Sequence, residues 1–272
     1  MTTHATRLFG VLAHPGGENI FHTMLAEAAE ESEADASFLL FDFQAKEIAD
    51  PIEALRRLRA GGAYLTGRLR EAGGGLVDYL SDEAHGAGTI NTITFENDTA
   101  TGHNTEAKAI IDLLTEQSDK FSSKSAVILG GGAMARAAAY AVIRHYRVKH
   151  VTIAGRDTQH AQIVKQAMIG TKSDSRVEVS ELFPSDIADR LAEARLIINA
   201  TSIGENPDGE LSPITIPNIF HSKQVVLDVI YNPEKTALLS DAENGGATVI
   251  SGGQVLRKQI RYAFELLTER SL

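Results

Sequence analysis

Apolar runs of strand length alternate with stretches of helical period along most of the chain. Leu8–Ala13 and Phe38–Phe43 read as strands, and Ile20–Glu31 between them carries apolar or small residues at helical spacing. Pro51 is placed to open a helix through Arg59, where its missing N–H costs nothing. Tyr64–Thr66 reads as a short strand. Thr89–Phe95 alternates, Asn97-Asp98 marks a turn before Thr101, and Asn104 or Thr105 is suited to cap a helix reaching about Gln117. The polar stretch Ser118–Ser125 reads as a linker.

Beyond it the alternation sharpens. Ala126–Leu129, Val148–Ala154, Val177–Ser180, Leu196–Asn199, Val225–Val229 and Thr248–Ile250 read as strands. Met134–His145, Gln159–Met168, Asp186–Ala194 and Lys235–Asn244 read as the helices among them. Apolar strands alternating with helices imply a parallel sheet covered on both faces. The last helix, Val255–Leu267, has room to pack back on the first part of the chain.

Length and composition narrow the class. The 272 residues suit two small α/β domains better than one core. No apolar run is long enough to span a bilayer, and residues 1–7 are polar, without a signal-peptide stretch. The absence of cysteine removes disulfides, thiolate metal sites and cysteine nucleophiles together, and fits a reducing cytoplasm. A net charge of −10 repels phosphate backbones, so neither nucleic acid nor membrane is expected as a partner. The expected partner is a small molecule, the protein itself being a monomer or homodimer. No histidine spacing suits a metal: His14, His22, His85 and His103 are expected to cap or face solvent, and no metal is expected.

The strongest local motif is Gly130-Gly131-Gly132-Ala133-Met134-Ala135, a G-x-G-x-x-A turn between an apolar strand and a helix. Gly130 allows the tight turn, Gly132 removes the Cβ that would block a pyrophosphate, and Ala135 lets the helix approach the sheet. The amides from Gly132 and Ala133 onward then face the phosphates. In such a unit the residue closing the next strand, roughly 20 residues on, meets the ribose. Here that strand ends in Gly155-Arg156-Asp157. Arg156 favours the 2′-phosphate of NADP; Asp157, which follows directly, would instead accept the hydroxyls of NAD.

Two later segments carry a family likeness: Asn199-Ala200-Thr201-Ser202-Ile203-Gly204, and Asp228-Val229-Ile230-Tyr231-Asn232-Pro233-Glu234-Lys235-Thr236. With the glycine turn, in this order, they resemble the shikimate dehydrogenase family. Ile90-Asn91-Thr92, Gly102-His103-Asn104-Thr105, Gln259 and Ala263-Phe264-Glu265 extend the likeness over residues 66–267. The resemblance implies an N-terminal α/β substrate domain and a C-terminal Rossmann domain binding NADP, with a substrate cleft between them and the last helix returning to the first domain. On this chain that assigns residues 1–103 and 253–272 to the substrate and 104–252 to the cofactor. It places Asn199, Thr201, Ile230 and Gly252 along the cofactor, Tyr231 near the nicotinamide, and Thr66, Asn91, Asn104 and Gln259 about the substrate.

The family pairs a lysine with an aspartate in segments resembling N-V-T-x-P-x-K and N-T-D. Here the first reads Tyr64-Leu65-Thr66-Gly67-Arg68-Leu69-Arg70 and the second Asn104-Thr105-Glu106. Arginine keeps its proton, so Arg70 is restricted to stabilising negative charge. Glu106 is then the aligned group left to exchange a proton, given a pKa raised by burial. The family's serine-bearing S-x-S-P stretch is replaced by Pro15-Gly16-Gly17-Glu18-Asn19, which has no hydroxyl for a substrate carboxylate; Glu18 would repel one if it pointed inward, but reads first as an exposed loop acid. Three readings stay open. The first is an NADP-dependent oxidoreductase acting on a small hydroxylated, alicyclic or related carbonyl compound. The second is a cofactor-binding protein without turnover. The third is a shikimate dehydrogenase with an unusual site, serving aromatic amino acid biosynthesis as the resemblance implies.

Overall fold

The computed structural model describes residues 5–17, 19–168 and 175–272. The chain divides into two compact units, Met1–Lys108 with Lys258–Leu272, and Ala109–Arg257.

The first unit contains β1 (Arg7–Ala13), α1 (Ile20–Glu31), β2 (Ala36–Asp42), α2 (Ala49–Arg57), β3 (Gly62–Leu65), α3 (Leu69–Ala72), β4 (Tyr79–Leu80), α4 (Asp82–Ala87), β5 (Thr92–Glu96), β6 (Thr99–His103) and the start of α5 (Thr105–Leu114). Its sheet runs β2-β1-β3-β5-β6-β4. Strands β2, β1 and β3 are parallel, while β5 is antiparallel to both neighbours. The β5–β6 hairpin turns on Asn97 and Asp98 at φ 49° and 63°, a pair of left-handed residues that matches the strand twist. Asn19 caps α1 by accepting the Phe21 and His22 amides, and the helix buries Leu25, Ala28 and Ala29. Leu12, Ile52, Leu55, Leu65, Ile90 and Ile93 form the centre of one apolar core. On the sheet's other side Phe9 stacks on Phe38 at 5.0 Å, and Phe264 from the end of the last helix packs against Phe38 at 6.3 Å.

The second unit begins within α5 and continues through α6 (Ser118–Phe121), β7 (Ser125–Leu129), α7 (Ala133–Tyr140), β8 (His150–Gly155), α8 (Thr158–Met168), β9 (Arg176–Glu181), α9 (Pro184–Glu193), β10 (Leu196–Asn199), β11 (Val225–Asp228), α10 (Ala237–Asn244), β12 (Thr248–Ile250) and the first turns of α11 (Gly252–Thr268). All six strands are parallel, in the order β12-β11-β10-β7-β8-β9. The order runs one way from β7 and the other way from β10, so a topological switch lies between them, where such sheets take their ligands.

Three expectations need correction. The helix at Pro51 starts at Ala49, which leaves the proline inside the first turn, where no amide donor is required of it. Ser118–Ser125 is no linker: it holds a helical turn whose Phe121 is fully buried and meets Tyr146 edge-on at 5.2 Å. The alternation over Thr89–Phe95 is a strand only from Thr92 onward.

Candidate active site

In the first unit, β3 ends at Leu65 and the chain turns through Gly67 at φ 56°, a left-handed conformation that suits glycine. The Thr66 amide donates to the Leu12 carbonyl at 3.0 Å, and the Thr66 hydroxyl reaches the same oxygen at 3.4 Å, tying this turn to the end of β1. The turn delivers Arg70 on α3. Arg70 Nε donates to the Gly67 carbonyl at 2.9 Å, and its guanidinium pairs closely with the Glu106 carboxylate.

Glu106 lies in the first turn of α5, where the helix dipole favours an anion. Asn104 caps that helix: its Oδ1 accepts the Ala107 amide at 2.8 Å, and its Nδ2 donates to the Thr89 carbonyl and hydroxyl at 3.0 and 2.9 Å. Asn91 holds the adjoining residue, accepting the Thr105 amide at 2.8 Å and donating to the Thr105 hydroxyl at 2.8 Å and the Tyr64 hydroxyl at 3.4 Å. Thr66, Asn91, Asn104, Glu106 and Gln259 are all buried. Asn91 and Asn104, read from sequence as substrate-facing, have their amide groups engaged in holding α5 in place.

The pair is electrically settled. Burial alone would pull the Arg70 pKa down; the Glu106 charge and hydrogen bond outweigh it and hold the guanidinium above its ordinary value. Glu106 Oε1 is taken by Arg70, while Glu106 Oε2 and Gln259 Oε1 are buried and accept no hydrogen bond among the described residues. The Arg70–Glu106 pair thus holds one cation and one anion, with one carboxylate oxygen left open.

Next to this turn, across β1, His14 Nδ1 lies 2.7 Å from Asp42 Oδ1, and the Gly16 amide donates to Asp42 Oδ2 at 2.9 Å. The Gly16 hydrogen bond first, then His14, holds the Asp42 pKa below the usual carboxylate range. Sequence reading missed this pair, which only the parallel register of Ala13 with Asp42 brings together. Glu18 lies outside the described residues. The other histidines do local work: His22 Nε2 meets the Phe38 carbonyl at 3.0 Å, and His103, whose pKa burial depresses, meets the Thr94 hydroxyl at 3.1 Å. Among the described residues no cluster of His, Asp or Glu is arranged to hold a metal ion.

In the second unit the glycine turn joins β7 to α7. Gly130 sits at φ 119°, and a Cβ there would stand 2.6 Å from the Ala200 carbonyl oxygen. A Cβ at Gly131 would stand 2.6 Å from His160. Gly132 is the extended N-cap of α7 and brings no side-chain acceptor, so among the described residues the first-turn amides of Ala133 to Ala135 have neither an intrahelical nor a capping partner. This is a cradle of backbone donors at a helix N-terminus at the sheet's switch point, and it fits a dinucleotide pyrophosphate. At the end of β8, Asp157 accepts the Gln159 amide at 2.8 Å and pairs with His160 at 3.1 Å. Its carboxylate is thereby spent on starting α8, while Arg156 beside it is exposed.

At the end of β10, Asn199 Oδ1 accepts the amide and hydroxyl of Thr201 at 3.1 and 2.7 Å, and its Nδ2 donates to Asp228 at 3.0 Å. Asp228 also accepts the Ile230 amide at 3.1 Å and the Thr236 hydroxyl at 2.7 Å. Burial nevertheless pushes the Asp228 pKa up to about 6, against the pull of those hydrogen bonds. This network fixes the loop bearing Ile230 and the half-buried Tyr231. Gly252 packs so closely on the Ile230 carbonyl and the Val229 backbone that no Cβ fits. Asp228 was quoted in the motif but given no role; its full burial at a strand end is what marks it out.

The profile of the family described as Shikimate / quinate 5-dehydrogenase matches residues 112–207. The NADP(+)-type shikimate dehydrogenase of Moorella thermoacetica is 31% identical over 266 residues, covering 98% of this chain and 89% of that one. Among solved structures, shikimate 5-dehydrogenase of Listeria monocytogenes in complex with shikimate and NAD superposes with a TM-score of 0.90 at 25% identity, covering 100% of this chain and 94% of the other. The 5-ketofructose reductase of Gluconobacter sp. strain CHM43 does so with a TM-score of 0.85 at 25% identity, covering 99% and 95%.

Proposed function

This chain belongs to the shikimate dehydrogenase family, and on that premise we propose that it is an NADP-dependent oxidoreductase interconverting an alcohol and a carbonyl in a small hydroxylated compound. The observation that carries the reading is the coexistence of an intact pyrophosphate cradle at Gly130–Ala135 with a buried Arg70–Glu106 pair. The exposed Arg156, beside an Asp157 committed to α8, supports NADP over NAD.

When bound, NADP(H) supplies or accepts the hydride. The chain's own residues manage the proton and the developing charge. In oxidation, Glu106 Oε2, the carboxylate oxygen left open by Arg70, takes the proton of the substrate hydroxyl as the carbonyl forms. In reduction the protonated Glu106 returns it to the carbonyl oxygen. Arg70 keeps its own proton throughout, and its N–H groups stabilise the oxygen while it is negative. Asn104 and Asn91 act at one remove, by fixing the turn from which Glu106 projects.

The test is NADP-linked turnover on a panel of cyclic hydroxy acids, their esters and polyhydroxylated ketones. Glu106→Gln should lower kcat by about 10²- to 10⁴-fold, the usual contribution of a positioned acid–base group, without changing NADPH affinity. Full activity in that variant would remove Glu106 from the proton path. A second reading is favoured by the charge pairing of Arg70 with Glu106, which neutralises both groups: a cofactor-binding protein without turnover. It predicts tight NADPH binding and no reaction across the panel.

A further inference from the structure

The oxidoreductase reading leaves the substrate's charge unspecified. The carboxyl ends of β2, β1 and β3 lie side by side, with Asp42, His14 and Thr66 at or just past them. Carboxyl ends of parallel strands are where such sheets take ligands. A Cβ at Gly67, three residues before Arg70, would lie 3.9 Å from the His14 carbonyl, so the His14–Gly17 turn borders the turn that delivers Arg70. Phe21, from the first turn of α1, stacks at 5.4 Å on Tyr64, whose hydroxyl meets Asn91. The two turns are thus one edge of the unit.

A ligand carboxylate at this edge would need donors. The Gly16 amide already serves Asp42, and Nδ2 of Asn91 and of Asn104 serve Thr105 and Thr89. Arg70 spends its Nε on Gly67 and one terminal nitrogen on Glu106. Its remaining N–H groups are the ones assigned to the reacting oxygen. Among the described residues the open capacity beside Arg70 is of the opposite kind: Glu106 Oε2 is a buried carboxylate oxygen without a hydrogen-bond partner, and a hydroxyl satisfies a buried acceptor where a carboxylate cannot. Asp42 adds a half-exposed negative charge beside the site, already holding the loop amide that a substrate anion would seek.

We propose that Asp42 sets the charge class of the substrate. Clamped by the Gly16 amide and His14, its carboxylate occupies that loop donor and holds a negative charge at this edge, so the site admits neutral polyhydroxylated alcohols and ketones and rejects carboxylates. This rests on the oxidoreductase reading for its chemistry but not for its binding.

The experiment compares shikimate with its neutral methyl ester on the whole protein with NADP+ present, and tests 5-ketofructose as a neutral polyhydroxylated ketone with NADPH. In the native sequence the ester should be preferred by about tenfold in kcat/KM, the scale of one like-charge repulsion near the surface. Asp42→Asn keeps the oxygen that accepts the Gly16 amide and removes the charge; it should cut that preference about fivefold, through KM rather than kcat. Asp42→Ser, which also frees the Gly16 amide, should bring shikimate level with the ester. Preference for shikimate in the native protein, or an unchanged ratio in both variants, overturns the proposal. If nothing is turned over, calorimetric affinities for the same pair give the same ratio. Failure of turnover then counts against the oxidoreductase reading alone, whereas equal affinities, or binding of neither compound, overturn the role of Asp42.

Discussion

The two units build their candidate sites from different materials. The second makes its site from backbone: a left-handed glycine, uncapped amides at the start of α7, and a buried Asn199–Asp228–Thr236 network that fixes the neighbouring loop. The first makes its site from side chains: Arg70 on Glu106, Asn91 on Thr105, His14 on Asp42. A backbone cradle tolerates few substitutions, because every amide it uses is fixed by the fold. A side-chain site can change its chemistry by exchanging one residue type for another of similar reach. The departures from the family pattern at Arg70, Glu106 and Pro15–Gly17 accordingly fall in the first unit.

The largest effect is expected from attacking the backbone cradle. Gly130→Val places a branched Cβ at φ 119° and against the Ala200 carbonyl, 2.6 Å from the ideal Cβ position. Backbone strain of this kind costs about 1–3 kcal/mol before the collision is counted. NADPH affinity should fall by at least about 100-fold, equivalent to about 2.7 kcal/mol, with a lower melting temperature. Fluorescence titration and thermal unfolding measure both. Retention of native NADPH affinity would show that the cradle does not carry the cofactor.

The same contrast can be tested in the first unit. Arg70→Met leaves the Glu106 carboxylate buried without its counter-charge. Breaking a buried pair from one side costs about 3–5 kcal/mol; since the Arg70 side chain keeps 20% of its surface exposed, about 2–3 kcal/mol is the expected loss. The double variant Arg70→Met/Glu106→Met should recover most of it, because no charge then remains to be desolvated. Urea unfolding of the two variants decides this. Equal stability of the single and double variants would mean that the pair is not held as a buried ion pair.

The contrast also explains what was legible beforehand. The second unit's strands were read almost to their ends, and Leu196–Asn199 and Thr248–Ile250 match the structure residue for residue; β10 and β11 are buried along their whole length, so each runs apolar up to the polar residue that closes it. In the first unit α3, β4 and α4 went unread. The α3 helix has four residues and is followed by three glycines, β4 pairs over two exposed residues, and α4 is a six-residue helix closed by Gly88 in the left-handed region. Such elements are held by tertiary neighbours and leave no periodic trace. Arg70 and Glu106 were found only because each stood in register with a family motif. His14 and Asp42, 28 residues apart, had no such guide. That Asp157 starts α8 follows from helix capping, a local rule available in the sequence.

The smallest expected effect separates the network that supports the second unit's loop from the cradle itself. Asp228 is fully buried, and burial raises its pKa to about 6 although three groups donate to it. In the unfolded chain an aspartate titrates near 3.9. Between these values the native state holds a proton that the unfolded state has released, so the linkage slope is negative. Stability from this group is full at the acid end of that window and is lost as pH rises through about 6. From pH 5 to pH 7 the loss is about 1 kcal/mol. Asp228→Asn keeps an acceptor for Ile230 and removes the titration. The difference in unfolding free energy between the native protein and this variant should therefore shift by that amount across the window, in the variant's favour at higher pH. A carboxyl resonance titrating near pH 6 in the native protein and missing in the variant would identify the group. A difference that stays flat from pH 5 to pH 7 would mean that Asp228 is ionised throughout, its three hydrogen bonds compensating fully for burial.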